Sequence, residues 1–161
     1  TGLINRLRQY VLDCDPGQFS IIGSSFGGLI ALHYTQRFGG VEKILLLAPV
    51  LFWPSWGLSE KELKQWEKAG AAPIFHEAFG EELPVRYDLH LDGLCYLGPV
   101  PPPIPTIIIH GRNDNTVPIE HSRNYAASFP DQVQLIEVNA DHDLNSHLEF
   151  IWGYVQSFLP V

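Results

Sequence analysis

A serine flanked by glycines is the first candidate for chemistry in this sequence. The segment GSSFG, residues 23–27, fits the pattern G-x-S-x-G, in which a serine nucleophile stands on a tight turn from a strand into a helix. Because side chains two residues before and after the serine would crowd such a turn, we expect Gly23 and Gly27 to be required there. Ser24 lacks this glycine spacing. The pattern favours Ser25 as a nucleophile, and the alternative is a serine that caps a helix in a glycine-rich turn.

A serine hydroxyl needs a neighbouring base, most often a histidine, to take its proton. His142, in ADHDLN, follows a predicted strand and precedes the last predicted helix. It therefore lies at the carboxyl end of a strand, where the sites of open α/β sheets form. The other histidines fall in helices, in a long insertion or at a strand end: His33, His76, His90, His110, His121 and His147. The sequence favours His142 as the base over an exposed loop histidine, and His110 is expected at the floor of the site.

A carboxylate is the third group that this chemistry requires, because it fixes the tautomer of the histidine and stabilises its protonated form. Asp114 follows the predicted strand TIIIHG by a few residues. Asp141 and Asp143 flank His142, but sequence neighbours rarely have the geometry to hold its Nδ1 atom. Asp114 is therefore the favoured acid, and the alternative is an aspartate that only forms a turn.

Alternating helices and strands must position these three side chains. Apolar spacing predicts helices over 3–12, 26–38, 59–68, 119–129 and 144–158, and strands over 19–23, 43–49, 106–111 and 133–139. This alternation predicts an α/β fold with a parallel sheet flanked by helices. Residues 50–104 are too long for a plain connection and are interpreted as a cap or lid that is irregular apart from the helix over 59–68. Ser59 and Glu62 form a capping box at the start of that helix, and Trp66 is expected to turn inward from it. The predicted core comprises residues 1–49 and 105–161.

Composition narrows the class of protein. The 161 residues are 45% apolar and carry a net charge of −8, which is a globular composition. An acidic chain is a poor partner for nucleic acid or for an anionic membrane. No apolar run approaches the roughly 18 residues of a membrane-spanning helix. Composition does not name a substrate, but the chemistry of the three side chains leads us to expect a small-molecule acyl substrate and no cofactor.

The cysteines and the first residue bear on compartment and processing. Cys14 and Cys95 have no metal-binding spacing, and a free pair in a reducing cytosol is a simpler interpretation than a disulfide. A cytoplasmic protein without a metal site is predicted. The sequence begins at Thr1 and contains no methionine, so we expect a processed form, a trimmed chain or a fragment.

The chain order Ser25, Asp114, His142 resembles that of the α/β-hydrolases, of the serine esterase, lipase and peptidase type. IIGSSFGG resembles the nucleophile elbow of that family, HGRNDNTVP its acid loop and ADHDLN its histidine loop. The resemblance covers nearly the whole chain. It implies the C-terminal part of the α/β-hydrolase fold, with residues 50–104 as the lid.

The sequence departs from this family at its front. Only 24 residues precede Ser25, whereas the family has several strands and a helix there, and one of those loops supplies an oxyanion N–H. The N–H of Phe26 is expected to supply one oxyanion donor, and the second has no evident source. The strand over 19–23 is expected to form an exposed apolar edge. Either a preceding segment or a strand from a second copy, in a homo-oligomer, is expected to cover it.

Aromatic residues concentrate in the insertion. In the resembled family the lid aromatics line an acyl pocket, and Phe52, Trp53 and Phe26 are the best pocket candidates. The others are Trp56, Trp66, Phe75, Phe79, Tyr87 and Tyr96. For most of these rings, simple packing of the cap is the more economical interpretation.

Taken together, these residues predict a serine hydrolase that cleaves a carboxylic ester or a related acyl compound. Ser25 attacks, His142 transfers the proton, Asp114 orients His142, and an acyl-enzyme forms and is hydrolysed by water. Two alternatives stay open. One is a non-catalytic α/β-hydrolase-like binding module or inactive fragment, and the other is a serine peptidase of the same type.

Overall fold

The computed structural model describes residues 1–53, 58–76 and 79–159. It divides into two compact units, one of Thr1–Phe52 with Gly98–Val161 and one of Trp53–Leu97. The strands are β1 (Phe19–Ser24), β2 (Val41–Leu47), β3 (Ala71–His76), β4 (Glu81–Arg86), β5 (Thr106–Gly111) and β6 (Val133–Val138). The helices are α1 (Gly2–Cys14), α2 (Phe26–Phe38), α3 (Glu60–Ala69), α4 (Asp88–Gly93), α5 (Glu120–Ser128) and α6 (Leu148–Phe158).

The first unit is built on a parallel sheet of four strands in the order β1-β2-β5-β6. The two central strands, β2 and β5, are the most buried, and every residue of β5 is buried. Leu45, Ile107 and Ile109 join Ile151 and Val155 of α6 in one buried cluster. Continuous apolar runs are typical of strands whose two faces are both covered. The predicted α/β architecture is confirmed.

Backbone conformation explains two of the predicted boundaries that are wrong. The strand predicted over 43–49 ends at Leu47, because Ala48 has a φ of 43° and leaves the extended conformation. The helix predicted from residue 144 begins at Leu148, after a 3₁₀ turn over Asn145–His147. Leu144 precedes that turn with a φ of 57°, which is left-handed and cannot continue a right-handed helix.

Strand β1 lies at one edge of this sheet. Within the described residues its pairing partner is β2, and Ile22 is 48% exposed. The expected exposed apolar edge is therefore present. What pairs with it stays a prediction.

The second unit contains more regular structure than the sequence indicates. Helix α3 begins with the predicted capping box, in which Ser59 and Glu62 exchange hydrogen bonds. The expectation that the rest is irregular is wrong, because β3 and β4 form an antiparallel hairpin and α4 follows it. Pro73 pairs with Pro84 across this hairpin. Since proline argues against a strand, the two prolines concealed the hairpin.

An aromatic cluster fills the second unit. Trp66 is buried, as predicted, and its Nε1 donates to the carbonyl of Val85 at 2.8 Å. The ring of Trp66 meets the rings of Tyr87 and His90. A Cβ atom on Gly93 would overlap the indole of Trp53, so glycine permits that ring to lie against the backbone. These rings pack one another, as the more economical interpretation held.

Glu137 joins β6 to α5. Its carboxylate accepts hydrogen bonds from Arg123 Nε at 2.8 Å and Arg112 Nε at 3.0 Å. These bonds lower the pKa of Glu137 from 4.5 to about 2. The stabilising effect is therefore fully present above about pH 4.5 and is lost as the pH falls towards about 2. The effect is modest, since both guanidinium groups are partly exposed to solvent screening.

We expect Glu137→Gln to lower the free energy of unfolding at pH 7 and to make little difference at strongly acidic pH. Urea unfolding of both proteins across this pH range measures the change. Glu42→Gln, on β2, removes the same charge from a different strand and serves as the control. A deficit in Glu137→Gln that is equally large at acidic pH would contradict the assignment of the effect to ion pairing.

Candidate active site

Ser25 stands on a strained turn between β1 and α2. Its φ of 49° and ψ of −120° lie outside the ordinary range for a residue with a side chain. Its N–H donates to the carbonyl of Leu47, and its carbonyl accepts from the N–H groups of Gly28 and Val50, each at 2.9 Å. These three bonds fix the turn from both sides. The strand-to-helix position predicted for Ser25 is confirmed.

The glycines around Ser25 are not equally necessary. A Cβ atom on Gly23 would lie 2.7 Å from the carbonyl oxygen of Gly27, which real structures do not tolerate. One on Gly28 would lie 2.6 Å from Cβ of Pro49. A Cβ atom on Gly27 would meet nothing within 4 Å among the described residues. The predicted requirement for glycine at position 23 is confirmed. The predicted requirement at position 27 is wrong, because it is the backbone carbonyl of Gly27, and not the space for a side chain there, that makes the turn tight.

The structure brings Ser25, His142 and Asp114 together. Oγ of Ser25 lies 3.0 Å from Nε2 of His142, and Nδ1 of His142 lies 2.8 Å from Oδ2 of Asp114. The three residues follow β1, β6 and β5, so they meet at the carboxyl edge of the parallel sheet. Asp141 and Asp143, which flank His142, are both exposed.

Close contact between two loops positions His142. Gly111, at the end of β5, lies so near the backbone carbonyls of Ala140 and Asp141 that a Cβ atom would overlap both. Asn113 donates its N–H to the carbonyl of Ala140 at 3.0 Å. The acid loop and the histidine loop therefore pack backbone to backbone. This contact explains how residues far apart in sequence keep hydrogen-bonding distance.

Asp114 is buried and accepts four hydrogen bonds. Its Oδ1 accepts the N–H groups of Thr116 and Val117, both at 2.8 Å, and its Oδ2 faces His142 and His110. Burial by itself raises the pKa of Asp114. The hydrogen bonds from His142, Val117 and Thr116 outweigh burial, so the net pKa lies below its ordinary value. Asp114 is therefore an ionised acceptor at neutral pH.

His110 lies at the floor of this site, as expected, and is fully buried. Its Nε2 is 3.1 Å from Oδ2 of Asp114 and 2.9 Å from the carbonyl oxygen of Val117. Its Nδ1 is 2.7 Å from Oγ of Ser122, on α5. Burial, which disfavours the charged ring, lowers the pKa of His110. Sequence reasoning missed Ser122, because nothing in the local pattern marks this helix serine.

Phe26 opens α2 directly after Ser25. The amino end of a helix carries a partial positive charge, so a negative charge that develops beside Ser25 is stabilised there. This placement is compatible with the predicted role of the Phe26 N–H as an oxyanion donor. That role stays a prediction.

The remaining pocket candidates have packing partners of their own. The ring of Phe52 lies tilted against that of His121, with 4.9 Å between ring centroids, and both residues line a cavity of about 120 Å³ in the first unit. Trp53 is 2% exposed within the second unit. Trp56 and the side chain of Phe75 lie outside the described residues. A substrate-binding role for Phe52 and Trp53 stays a prediction.

Residues 1–53, 58–76 and 79–159 contain no group of three or more His, Cys, Asp or Glu side chains arranged to hold a metal ion. Over the same residues, no helix has the length and apolar character that a membrane span requires.

A family model described as "Uncharacterised protein family (UPF0227)" matches residues 1–158. The chain belongs to this family. No curated protein matches the sequence. The UPF0227 assignment covers both units and all three residues of the Ser25, His142 and Asp114 constellation.

Solved structures show the fold of this UPF0227 member. A candidate hydrolase from Agrobacterium vitis S4 superposes with a TM-score of 0.82 at 22% identity, covering 98% of this chain and 67% of the other. Alpha/beta hydrolase domain-containing protein 10 from mouse gives 0.76 at 19% identity, covering 95% and 66%. A monoacylglycerol lipase from Paleococcus ferrophilus gives 0.69 at 14% identity, covering 96% and 72%.

These likenesses show that the chain has the α/β-hydrolase fold, which confirms the resemblance drawn from its three loop motifs. The chain spans about two thirds of the length of the first two structures.

Proposed function

We propose that this chain carries the catalytic site of a serine hydrolase that cleaves a carboxylic ester or a related acyl compound. The observation that carries the proposal is the continuous hydrogen-bonded arrangement Ser25–His142–Asp114, with distances of 3.0 and 2.8 Å. A nucleophile, a base and an orienting acid within hydrogen-bonding distance form the geometry that acyl transfer requires. The lipase with this fold, whose name states an ester substrate, adds support.

In the proposed reaction, Nε2 of His142 accepts the hydroxyl proton of Ser25 while Oγ attacks the acyl carbon. Nδ1–H of His142 donates to Asp114, whose ionised carboxylate stabilises the imidazolium that forms. The imidazolium then protonates the leaving alcohol, and an acyl-Ser25 ester remains. Water, deprotonated by His142, hydrolyses this ester, releases the carboxylic acid and restores the Ser25 hydroxyl.

Phe26 has the second proposed role. Its N–H, at the amino end of α2, stabilises the oxyanion of the tetrahedral intermediate. The helix contributes in the same direction through its dipole. One donor of this kind typically contributes about 10²–10³-fold in kcat. A second N–H donor, from a residue other than Phe26, would complete the oxyanion site.

Hydrolysis of p-nitrophenyl acetate and butyrate tests the proposal, with Ser25→Ala beside Ser24→Ala. We expect Ser25→Ala to lower kcat/KM by about 10³-fold or more, because the attacking oxygen is lost. Ser24→Ala removes an equal hydroxyl from the neighbouring residue, which is exposed, and is expected to leave most activity in place.

A fluorophosphonate probe provides a second measurement that is independent of the ester chosen. Labelling of the native chain and of Ser24→Ala, but not of Ser25→Ala, is expected in intact-protein mass spectra. A folded chain that neither turns over esters nor reacts with the probe would overturn the proposal and favour a non-catalytic binding module. Faster cleavage of p-nitroanilide peptides than of esters would favour a peptidase.

A further inference from the structure

Two histidines share one oxygen of the buried carboxylate. Oδ2 of Asp114 is 2.8 Å from Nδ1 of His142 and 3.1 Å from Nε2 of His110. The side chains of His110 and Asp114 are both 0% exposed. The mechanism proposed above uses His142 and leaves the His110 contact without a role.

The partners of His110 determine which ring nitrogen carries its proton. The carbonyl oxygen of Val117, 2.9 Å from Nε2, can only accept a hydrogen bond, and so can the ionised carboxylate of Asp114. Nε2 therefore bears the hydrogen and donates to both. Nδ1 is then an acceptor, and Oγ of Ser122 donates to it across 2.7 Å. Ser122 thus locks the tautomer that Asp114 needs.

We propose that His110, with its tautomer locked by Ser122, is a positioning residue that fixes the rotation of the Asp114 carboxylate and withdraws part of its negative charge. The inference rests on the proposed function and deepens it. Because His110 also donates to Oδ2, the carboxylate has one rotation in which both histidines keep their hydrogen bonds to it. By sharing the charge of Oδ2, His110 also limits how strongly Asp114 stabilises the His142 imidazolium.

The surrounding charges allow His110 to act as a neutral donor. Asp114 and His142 face it from the two loops, and Glu137 is its register partner on β6. Arg112 and Arg123 neutralise Glu137. Because burial lowers the pKa of His110, its ring is uncharged at neutral pH. It therefore donates to Asp114 without placing a second positive charge beside His142.

The test compares His110→Leu with His110→Gln. Leucine fills the space and removes the donor, whereas the side-chain amide of glutamine can place an N–H where Nε2 lies. In His110→Leu we expect kcat for p-nitrophenyl butyrate to fall about 10-fold with KM unchanged. This loss is smaller than the roughly 10²–10⁴-fold rate enhancement that general base catalysis supplies, because His142 is still present but less well oriented. The acid limb of the kcat/KM profile should move up by about half a pH unit, because Asp114 then holds the protonated His142 more tightly.

Restoration of kcat and of the acid limb in His110→Gln is expected, and a smaller displacement in the same direction is expected in Ser122→Ala. Ile108→Val serves as the matched control, because Ile108 is fully buried two residues earlier on the same strand and on the same face. It loosens packing without touching a hydrogen bond, so its acid limb should match that of the native chain.

A measurement without turnover separates this inference from the proposed function. The low-field proton resonance of His142 Nδ1–H, recorded in Ser25→Ala, should move further downfield when His110→Leu is added and return with His110→Gln. An unchanged resonance in both His110 variants would overturn the positioning role, whatever the esterase assay shows. If the native chain is inactive but the resonance responds as expected, the positioning contact stands and the proposed function fails.

Discussion

Replacing Asp114 with asparagine is expected to lower kcat/KM for p-nitrophenyl butyrate by about 10³–10⁴-fold with little change in KM. The amide oxygen can still accept from Thr116 and Val117, as Oδ1 does at 2.8 Å. The NH₂ group then occupies the position of Oδ2 and faces N–H groups of both His142 and His110. The amide N–H groups would then point at the N–H of each histidine, and neither pair would have an acceptor.

The damage from this substitution follows from the tautomer of His142. With an amide N–H at 2.8 Å, Nδ1 must become the acceptor, and the ring proton moves to Nε2. Nε2 then donates to Ser25 and cannot take its proton. Base catalysis is lost although the three side chains stay in place. Steady-state kinetics of the purified variant measure the loss, and near-UV circular dichroism verifies that the fold is retained.

Asp141→Asn and Asp143→Asn are the matched controls, since each removes one negative charge from a residue next to His142. Both side chains are exposed, so solvent screens their charges and only small changes in kcat/KM are expected. An equal or larger loss in either control would contradict the assignment of Asp114 as the orienting acid. It would place that role on a neighbour of His142.

Alanine at position 23 is expected to have the largest effect on stability. The new Cβ would lie 2.7 Å from the carbonyl oxygen of Gly27 and 2.9 Å from its carbon, and both are backbone atoms that cannot rotate away. The β1–α2 turn must therefore open, and the bond from Ser25 N–H to the Leu47 carbonyl is strained with it. We expect the free energy of unfolding to fall by about 3 kcal/mol, at the upper end of overpacking effects.

Gly27→Ala is the matched control and should act in the opposite direction. It adds the same methyl group four residues later, where a Cβ has open space among the described residues. Because Gly27 is the second residue of α2, alanine there is expected to stabilise the helix by up to about 1 kcal/mol. Urea unfolding of both variants measures the difference. If Gly23→Ala does not fold, its soluble yield beside that of Gly27→Ala gives the same comparison.

Equal stability of the two alanine variants would contradict this account of the turn. It would mean that the backbone of α2 moves freely relative to β1. A comparable loss in both variants would restore the expectation from sequence, in which Gly23 and Gly27 are both required.

The amino-acid sequence by itself determined the sheet, the order of its strands along the chain and three positions at its edge. The runs IIIHG and ILLL are continuous and apolar, as is typical of strands covered on both faces, and both form central strands. GSSFG predicted the Ser25 turn from its glycine spacing, although of that pair the structure requires glycine at position 23 and not at position 27. Asp114 and His142 were found because residues that follow parallel strands meet at one edge of the sheet.

Only the tertiary structure decided what surrounds those residues. Ser122 meets His110 across 12 positions of sequence, and no local pattern records that contact. Ala48 and Leu144 adopt positive φ values, which the apolar pattern around them does not predict. The β3–β4 hairpin forms although two prolines lie opposite one another, so local composition argued against strands that the structure contains. Local periodicity specifies which residues are buried, but hydrogen-bond partners distant in sequence are fixed only when the loops pack together.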